Sequence, residues 1–167
     1  MKGLAEIEFI VSVFVFLTTI SFVTFIIINN IPILHNAALT ERLKSRSYQY
    51  SELLFFDEGS PKDWQSVPEN ASRLGLSTGR RYFIDKNKVD ALSVICLDYQ
   101  KVKEKLAIEQ NDIIIDVSYL DNTPVTGSSS VICKPVFTTQ LRPQFQTTRL
   151  GILTDGSVIK IKTIIIG

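Results

Sequence analysis

The sequence predicts an α+β protein in which one very long N-terminal helix leads into a head of two short helices and a mainly antiparallel sheet. Three observations predict it. The stretch Phe9–Leu34 contains no Asp, Glu, Lys or Arg. Behind it Leu39, Leu43, Tyr50 and Leu54 return to one helical face, while Glu41, Arg42, Lys44 and Arg46 occupy the others. In the last third of the chain, Asp112–Leu120 alternates Ile113, Ile115, Val117 and Tyr119 with Asp112, Asp116 and Ser118, the period of a half-buried strand.

The apolar stretch is long enough to cross a bilayer, because a hydrocarbon core of ~30 Å needs ~20 apolar helical residues. Thr18, Thr19, Ser21 and Thr24 interrupt it mildly, since their hydroxyls can bond carbonyls one turn back. A cleaved secretory signal fits poorly: Glu6 and Glu8 stand where positive charge belongs, and Asn36-Ala37-Ala38 lacks small-x-small spacing. Pro32 cannot donate a helix hydrogen bond and predicts a kink or break. A transmembrane and stalk helix is therefore expected over 4–57, reaching about 80 Å at ~1.5 Å per residue. Tyr48, Tyr50, Phe55 and Phe56 read as packing residues.

Asp57-Glu58-Gly59-Ser60-Pro61 supplies turn chemistry, and 58–167 has the size of one domain, the head. Trp64 is expected to staple the following loop to the core. A short strand is expected around Arg80–Ile84, then a helix capped by Asp85 with Val89, Leu92, Cys96 and Tyr99 on one face. Asp98 reads as a second cap, opening a helix that buries Val102 and Leu106. Asp121-Asn122-Thr123-Pro124 predicts a turn, and Val131–Phe137 a strand that Pro135 assigns to an edge or a strand end. Strands around Leu150–Leu153 and Val158–Ile165 flank Asp155-Gly156, a two-residue hairpin signal, with Ile159 and Ile161 toward the core and Lys160 and Lys162 toward water.

Cys96 and Cys133 share the inward parity of their elements and can meet, as a disulfide if the head is exported or as two buried thiols if it is not. The sole histidine, His35, is remote from both, so no metal site is expected. Asn70-Ala71-Ser72 is a glycosylation sequon, meaningful for Asn70 only outside the cell. No nucleophile elbow, zinc-protease motif or phosphate-binding loop occurs; Gly75-Leu76-Ser77-Thr78-Gly79-Arg80 lacks the required lysine and spacing. We expect no enzyme, no catalytic residue and no cofactor. A net charge of +1 without a basic cluster argues against nucleic acid as a partner.

The N-terminus holds the most specific pattern. Lys2-Gly3 precedes the apolar run, and Glu8 sits at its edge, five residues past the glycine. An ionised acid there has no use for stability alone unless something pairs with it. The pattern resembles the class III signal of archaeal type IV prepilins and archaeal flagellins. Leu4 stands where bacterial pilins carry Phe, and Glu6 is an additional acid. The resemblance covers about the first thirty residues. It implies a leader of residues 1–3, cleavage between Gly3 and Leu4 by a prepilin peptidase, and retention of the helix as an assembly element. Its other implied partners are membrane lipid, further pilin subunits and the pilus assembly machinery. In such an assembly Glu8 would neutralise the new ammonium of Leu4 on a neighbouring subunit and fix axial register, rather than merely complement a helix dipole.

Local charge pulls against the implied export of the head. Lys2 precedes the span and Arg42, Lys44 and Arg46 follow it, a count that alone keeps the C-terminal side cytoplasmic. A folded domain translocates regardless of flanking charge, and we expect a single-pass protein with an extracytoplasmic head, or a surface filament. The alternative expectation is a monomeric, membrane-anchored extracellular binding module.

Overall fold

A computed structural model describes residues 2–125, 131–136 and 142–167, the side chains of 2–6, 32–34, 131 and 132 excepted. The fold is α+β. The elements run α1 (Lys2–Phe56), β1 (Phe83–Ile84), α2 (Lys86–Ile95), α3 (Tyr99–Lys105), β2 (Asp112–Tyr119), β3 (Val131–Cys133), β4 (Gln144–Leu153) and β5 (Val158–Ile166), with single 3-10 turns at Trp64–Ser66 and Pro68–Asn70. The chain forms two compact units, Met1–Leu39 and Thr40–Gly167.

The first unit is helix alone. Its residues from Ile7 to Ile31 are exposed, and Thr18, Thr19, Asn29 and Asn30 turn their donors onto carbonyls one turn back, at 2.7–3.0 Å. That back-bonding lets polar side chains sit on an apolar helix without asking for water. The break expected at Pro32 does not occur: α1 continues through it. Proline removes a single ladder bond, and the long helical runs on both sides keep the backbone helical.

The second unit begins with the rest of α1. Leu43, Ser47, Ser51, Leu54 and Phe55 are its buried stripe. The serines depart from the all-apolar face the sequence suggests, and they do so where the helix lies against the sheet. Ser47 Oγ is 2.7 Å from Thr147 Oγ1 on β4, and Arg149 Nε donates to Ser51 Oγ at 2.9 Å. Small polar residues admit the sheet closely, and hydroxyl partners satisfy what is buried.

The five strands are ordered β1-β4-β5-β2-β3, antiparallel except for the parallel β1–β4 pair. Ile113, Ile115 and Val117 of β2 register with Ile165, Thr163 and Ile161 of β5, and all are buried. The opposite face carries the Asp116–Lys162 pair at 3.8 Å. One covered and one wetted face is the usual economy of an antiparallel sheet. Ser118 breaks the expected alternation: it is buried because the loop after β2 folds back, bridging Ser118 to Pro124.

Both predicted caps are in place. Asp85 accepts from Asn87 N at 2.9 Å, and Asp98 from Gln100 N and Lys101 N at 3.2 and 3.4 Å. The first helix is shorter than expected: it ends at Ile95, leaving Cys96 as its C-cap and Tyr99 in the next helix. Trp64 is buried, and its Nε1 donates to Gly75 O at 2.9 Å. Gly75 runs so close to the end of α1 that a Cβ would sit 2.6 Å from Gly59 N.

β3 is shorter than expected and ends two residues before Pro135, on the sheet edge; Phe137 lies outside the described residues. β4 starts at Gln144, earlier than expected. Its hairpin with β5 is wider than a two-residue loop. Gly156 N donates to Leu153 O at 2.9 Å and Leu153 N to Ser157 O at 2.8 Å, with Gly156 at φ 87°. A turn followed by a left-handed glycine is the longer solution for the same Asp-Gly signal.

Candidate functional site

The N-terminal candidates all lie on α1. Gly3 and Leu4 belong to its first turn, with their side chains outside the described residues. Glu8 is exposed and shares a shallow concave strip with Ile7, Val11, Ser12 and Val15. Around it the helix presents Phe9, Ile10, Phe14, Phe16, Phe22 and Phe25 to its surroundings, each more than half exposed. The segment has a mean hydropathy of 2.6 over its most apolar window, and none of that window is buried among the described residues. By length and composition this helix can cross a membrane.

The cations that argued for a cytoplasmic C-terminal side have partners in the second unit. Arg42 donates to Gln110 Oε1 at 3.1 Å, Arg46 donates to Asn111 Oδ1, and Lys44 pairs with Glu41 at 3.5 Å. The two arginines hold this part of the helix to the segment before β2, while the lysine pair stays within α1.

Cys96 and Cys133 are brought together as a disulfide, Cα to Cα 4.8 Å, across a sequence separation of 37. The bridge ties the end of α2 to edge strand β3. Cys133 registers opposite Ile115 on the covered face. Asn70 is exposed at the end of a 3-10 turn, with Ala71 buried behind it and Ser72 Oγ donating to Ser60 O at 3.1 Å. His35 is exposed on α1, and among the described residues no group of three His, Cys, Asp or Glu side chains could hold a metal.

Two features escaped the sequence reading. Lys88 is buried on α2, and its Nζ donates to Glu58 O at 2.7 Å and to Ser77 O at 2.9 Å. Burial pushes the Lys88 ammonium below its usual range, against the pull of Asp85, Glu58 and Asp57. The available signal was position: Lys88 falls on the buried face of α2 beside Val89 and one turn before Leu92. The second feature is a cleft of about 480 Å³ lined by Glu52, Phe56, Ser77, Gly79, Arg80 and Arg81. The residues at its rim were expected to be strand. Instead Arg80 and Arg81 belong to a turn, and only Phe83 and Ile84 pair with β4.

Tyr99 anchors a smaller polar group. Its hydroxyl accepts from Ile113 N at 2.8 Å and lies 3.3 Å from Asp112 Oδ1, which also takes Lys103 at 3.2 Å. Burial pushes the phenol up to about 12. This cluster joins α3 to β2 and is spent on doing so. No protein-family profile, curated protein or solved structure matches the chain, so its residues and their geometry carry the functional argument.

Proposed function

We propose that the chain is a structural subunit, of the minor or pilin-like kind, of an archaeal type IV pilus-like filament. A prepilin peptidase cuts it between Gly3 and Leu4, and the helix beginning at Leu4 then draws it from the membrane into the assembly. The observation that carries this reading is the first unit of α1. Its large apolar side chains point outward on every side and are exposed among the described residues, directly behind Lys2-Gly3 and beside the exposed carboxylate of Glu8. A helix apolar all round is made for lipid or for other helices, and a filament core supplies the second after the first. The same helix ends inside an α+β head stapled by Trp64 and by Cys96–Cys133. This reading gives the chain no catalytic role.

Glu8 then meets the ammonium of a neighbouring Leu4. Removing one member of such a buried pair leaves an unpaired charge costing ~3–5 kcal/mol, enough to exclude a subunit. The test is expression in an archaeal host that carries a prepilin peptidase, followed by N-terminal sequencing and shearing of surface filaments. The expected mature chain starts at Leu4, and Glu8→Val stays in the membrane fraction but is lost from the sheared fraction. A chain retaining Met1-Lys2-Gly3 overturns the reading in favour of a single-pass, membrane-anchored binding module. Equal incorporation of Glu8→Val removes Glu8 from the mechanism.

A further inference from the structure

The end of the loop between α1 and β1 is held by hydrogen bonds on several sides. From beneath, Lys88 holds Glu58 O and Ser77 O together. Within the loop, Ser77 Oγ accepts from Gly79 N at 3.0 Å, Thr78 N donates to Phe83 O at 3.0 Å, and Phe83 N donates to Arg80 O at 3.1 Å. Gly79 and Tyr82 both sit at positive φ, 89° and 68°. For tyrosine that conformation is unfavourable, and the surrounding bonds impose it. Its ring is thereby set edge-on to Phe56 at 5.9 Å and to Phe55 at 6.3 Å, and stays half exposed.

Charge in this region is unbalanced. Glu52 is taken by Arg149 at 3.3 Å, whose guanidinium also lies 5.4 Å from the centre of the Phe56 ring. Glu58 is taken by Lys62 at 3.1 Å. Among the described residues Arg80 and Arg81 have no carboxylate partner, and the Arg81 guanidinium is 6.0 Å from the centre of the Tyr82 ring. Two unpaired guanidinium forks therefore stand at the mouth of a cleft with aromatic rings beside them. Its volume, about 480 Å³, is in the range that holds a small ligand.

We infer that this cleft is a binding site for an anionic saccharide, a sugar ring bearing a carboxylate or a sulfate. Guanidinium forks match the planar, two-oxygen face of such an anion and hold it at two points. The Phe56 ring lines the cleft, and the half-exposed Tyr82 ring stands edge-on beside it, so the apolar side of a sugar ring meets aromatic surface while the open lining leaves its hydroxyls in water. An apolar ligand would leave the two cations unanswered, and a neutral sugar would leave them unused. The inference does not depend on the filament reading, because a head carrying this cleft would bind the same ligand on a filament or on a lone membrane anchor.

The experiment is calorimetric titration of the full chain in uncharged detergent micelles. The probes are a uronic-acid disaccharide, a sulfated disaccharide, a neutral disaccharide, inorganic sulfate, and vesicles of anionic phospholipid. At least one acidic disaccharide is expected to bind at least ~10-fold more tightly than the neutral one, a gap of about 1.4 kcal/mol. Arg80→Ala with Arg81→Ala should erase that preference, with Trp64 fluorescence reporting an intact head. Tyr82→Ala should weaken the acidic sugar ~10-fold and leave inorganic sulfate unchanged. Which acidic sugar binds identifies the anion. The inference is overturned if neither acidic sugar outbinds the neutral one, if inorganic sulfate or anionic vesicles bind as tightly as the sugars, or if removing Lys44 and Lys134 does what removing the two arginines does.

Discussion

Replacing Lys88 with methionine keeps the length and apolar stem of the side chain and removes its ammonium. Glu58 O and Ser77 O then lose charge-assisted bonds of 2.7 and 2.9 Å. Hydrogen bonds to a charged group contribute ~1.5–3 kcal/mol each, so the gross loss is about 3–6 kcal/mol. Methionine also escapes the desolvation penalty that lowers the Lys88 pKa, which offsets part of the loss. A net destabilisation of about 2–3 kcal/mol at neutral pH remains, a fall of ~1.3–2 M in the urea midpoint at a slope of ~1.5 kcal/mol/M. The chain has a single tryptophan, Trp64, buried in the head, so its fluorescence in micelles reads the head directly. The pH dependence has a defined sign. Between the lowered folded-state value and 10.5, the unfolded chain binds more protons at this lysine than the folded chain does, so wild type gains stability as pH rises through that window. The methionine variant lacks the gain, and the gap between the two should widen toward pH 10. A gap under ~0.5 kcal/mol at pH 7, or one that narrows as pH rises, refutes the assignment of Lys88 as the buttress of this loop.

Tyr99 carries the opposite sign: its folded-state value is raised to about 12, so its contribution is intact below pH 10 and is lost between pH 10 and about 12, and absorbance titration should show one late-ionising phenol that Tyr99→Phe removes. Replacing Cys96 and Cys133 together with serine should cost ~4 kcal/mol by the chain-entropy relation for a separation of 37, read as a urea-midpoint shift; a shift under ~1 kcal/mol would show that the bridge contributes little. Gly151→Ala places a methyl group 2.8 Å from Ile84 Cγ1 and 3.0 Å from Phe55 Cε2, and overpacking of that kind costs ~1–3 kcal/mol; a variant as stable as wild type would mean that β1 can move away from β4 freely.

The elements legible in the sequence are those whose signal is local. Asp85 and Asp98 announce their helices because a cap needs only the next two or three amides, and Asp112–Tyr119 announces itself because alternation is written within one strand. The features that were missed depend on partners far along the chain. β1 is only Phe83–Ile84, and it exists because β4 offers it a parallel edge about seventy residues later. The early part of β4 escaped because its solvent side carries Gln146 and Thr148 while its inward Thr147 is polar too, which blurs the period. Lys88 was not singled out from the sequence, since its helical position hints at burial but nothing near it shows that the carbonyls of Glu58 and Ser77 converge on it. The Arg80–Tyr82 turn was read as strand from β-prone residues, and the positive φ of Tyr82 is visible only once the loop is closed.

The helix itself changes rule partway along. Up to Ile31 every face is apolar and no face is chosen, whereas from Leu43 one stripe is chosen and two of its members are serines. Apolar packing alone would fix that stripe against the sheet only loosely, because one turn of sliding exchanges one greasy contact for another. Ser47 with Thr147 and Ser51 with Arg149 remove the freedom: partners one turn apart on the helix meet inward residues two apart on β4, so a slip of either element breaks both pairs at once. Arg149 adds Glu52 at 3.3 Å on the same strand position, and about one and a half turns earlier Arg42 with Gln110, at the surface, and Arg46 with Asn111 tie the helix to the segment just before β2. Buried polar pairs used this way set register more than they add stability. The sheet is therefore locked to one axial position on the last turns of α1.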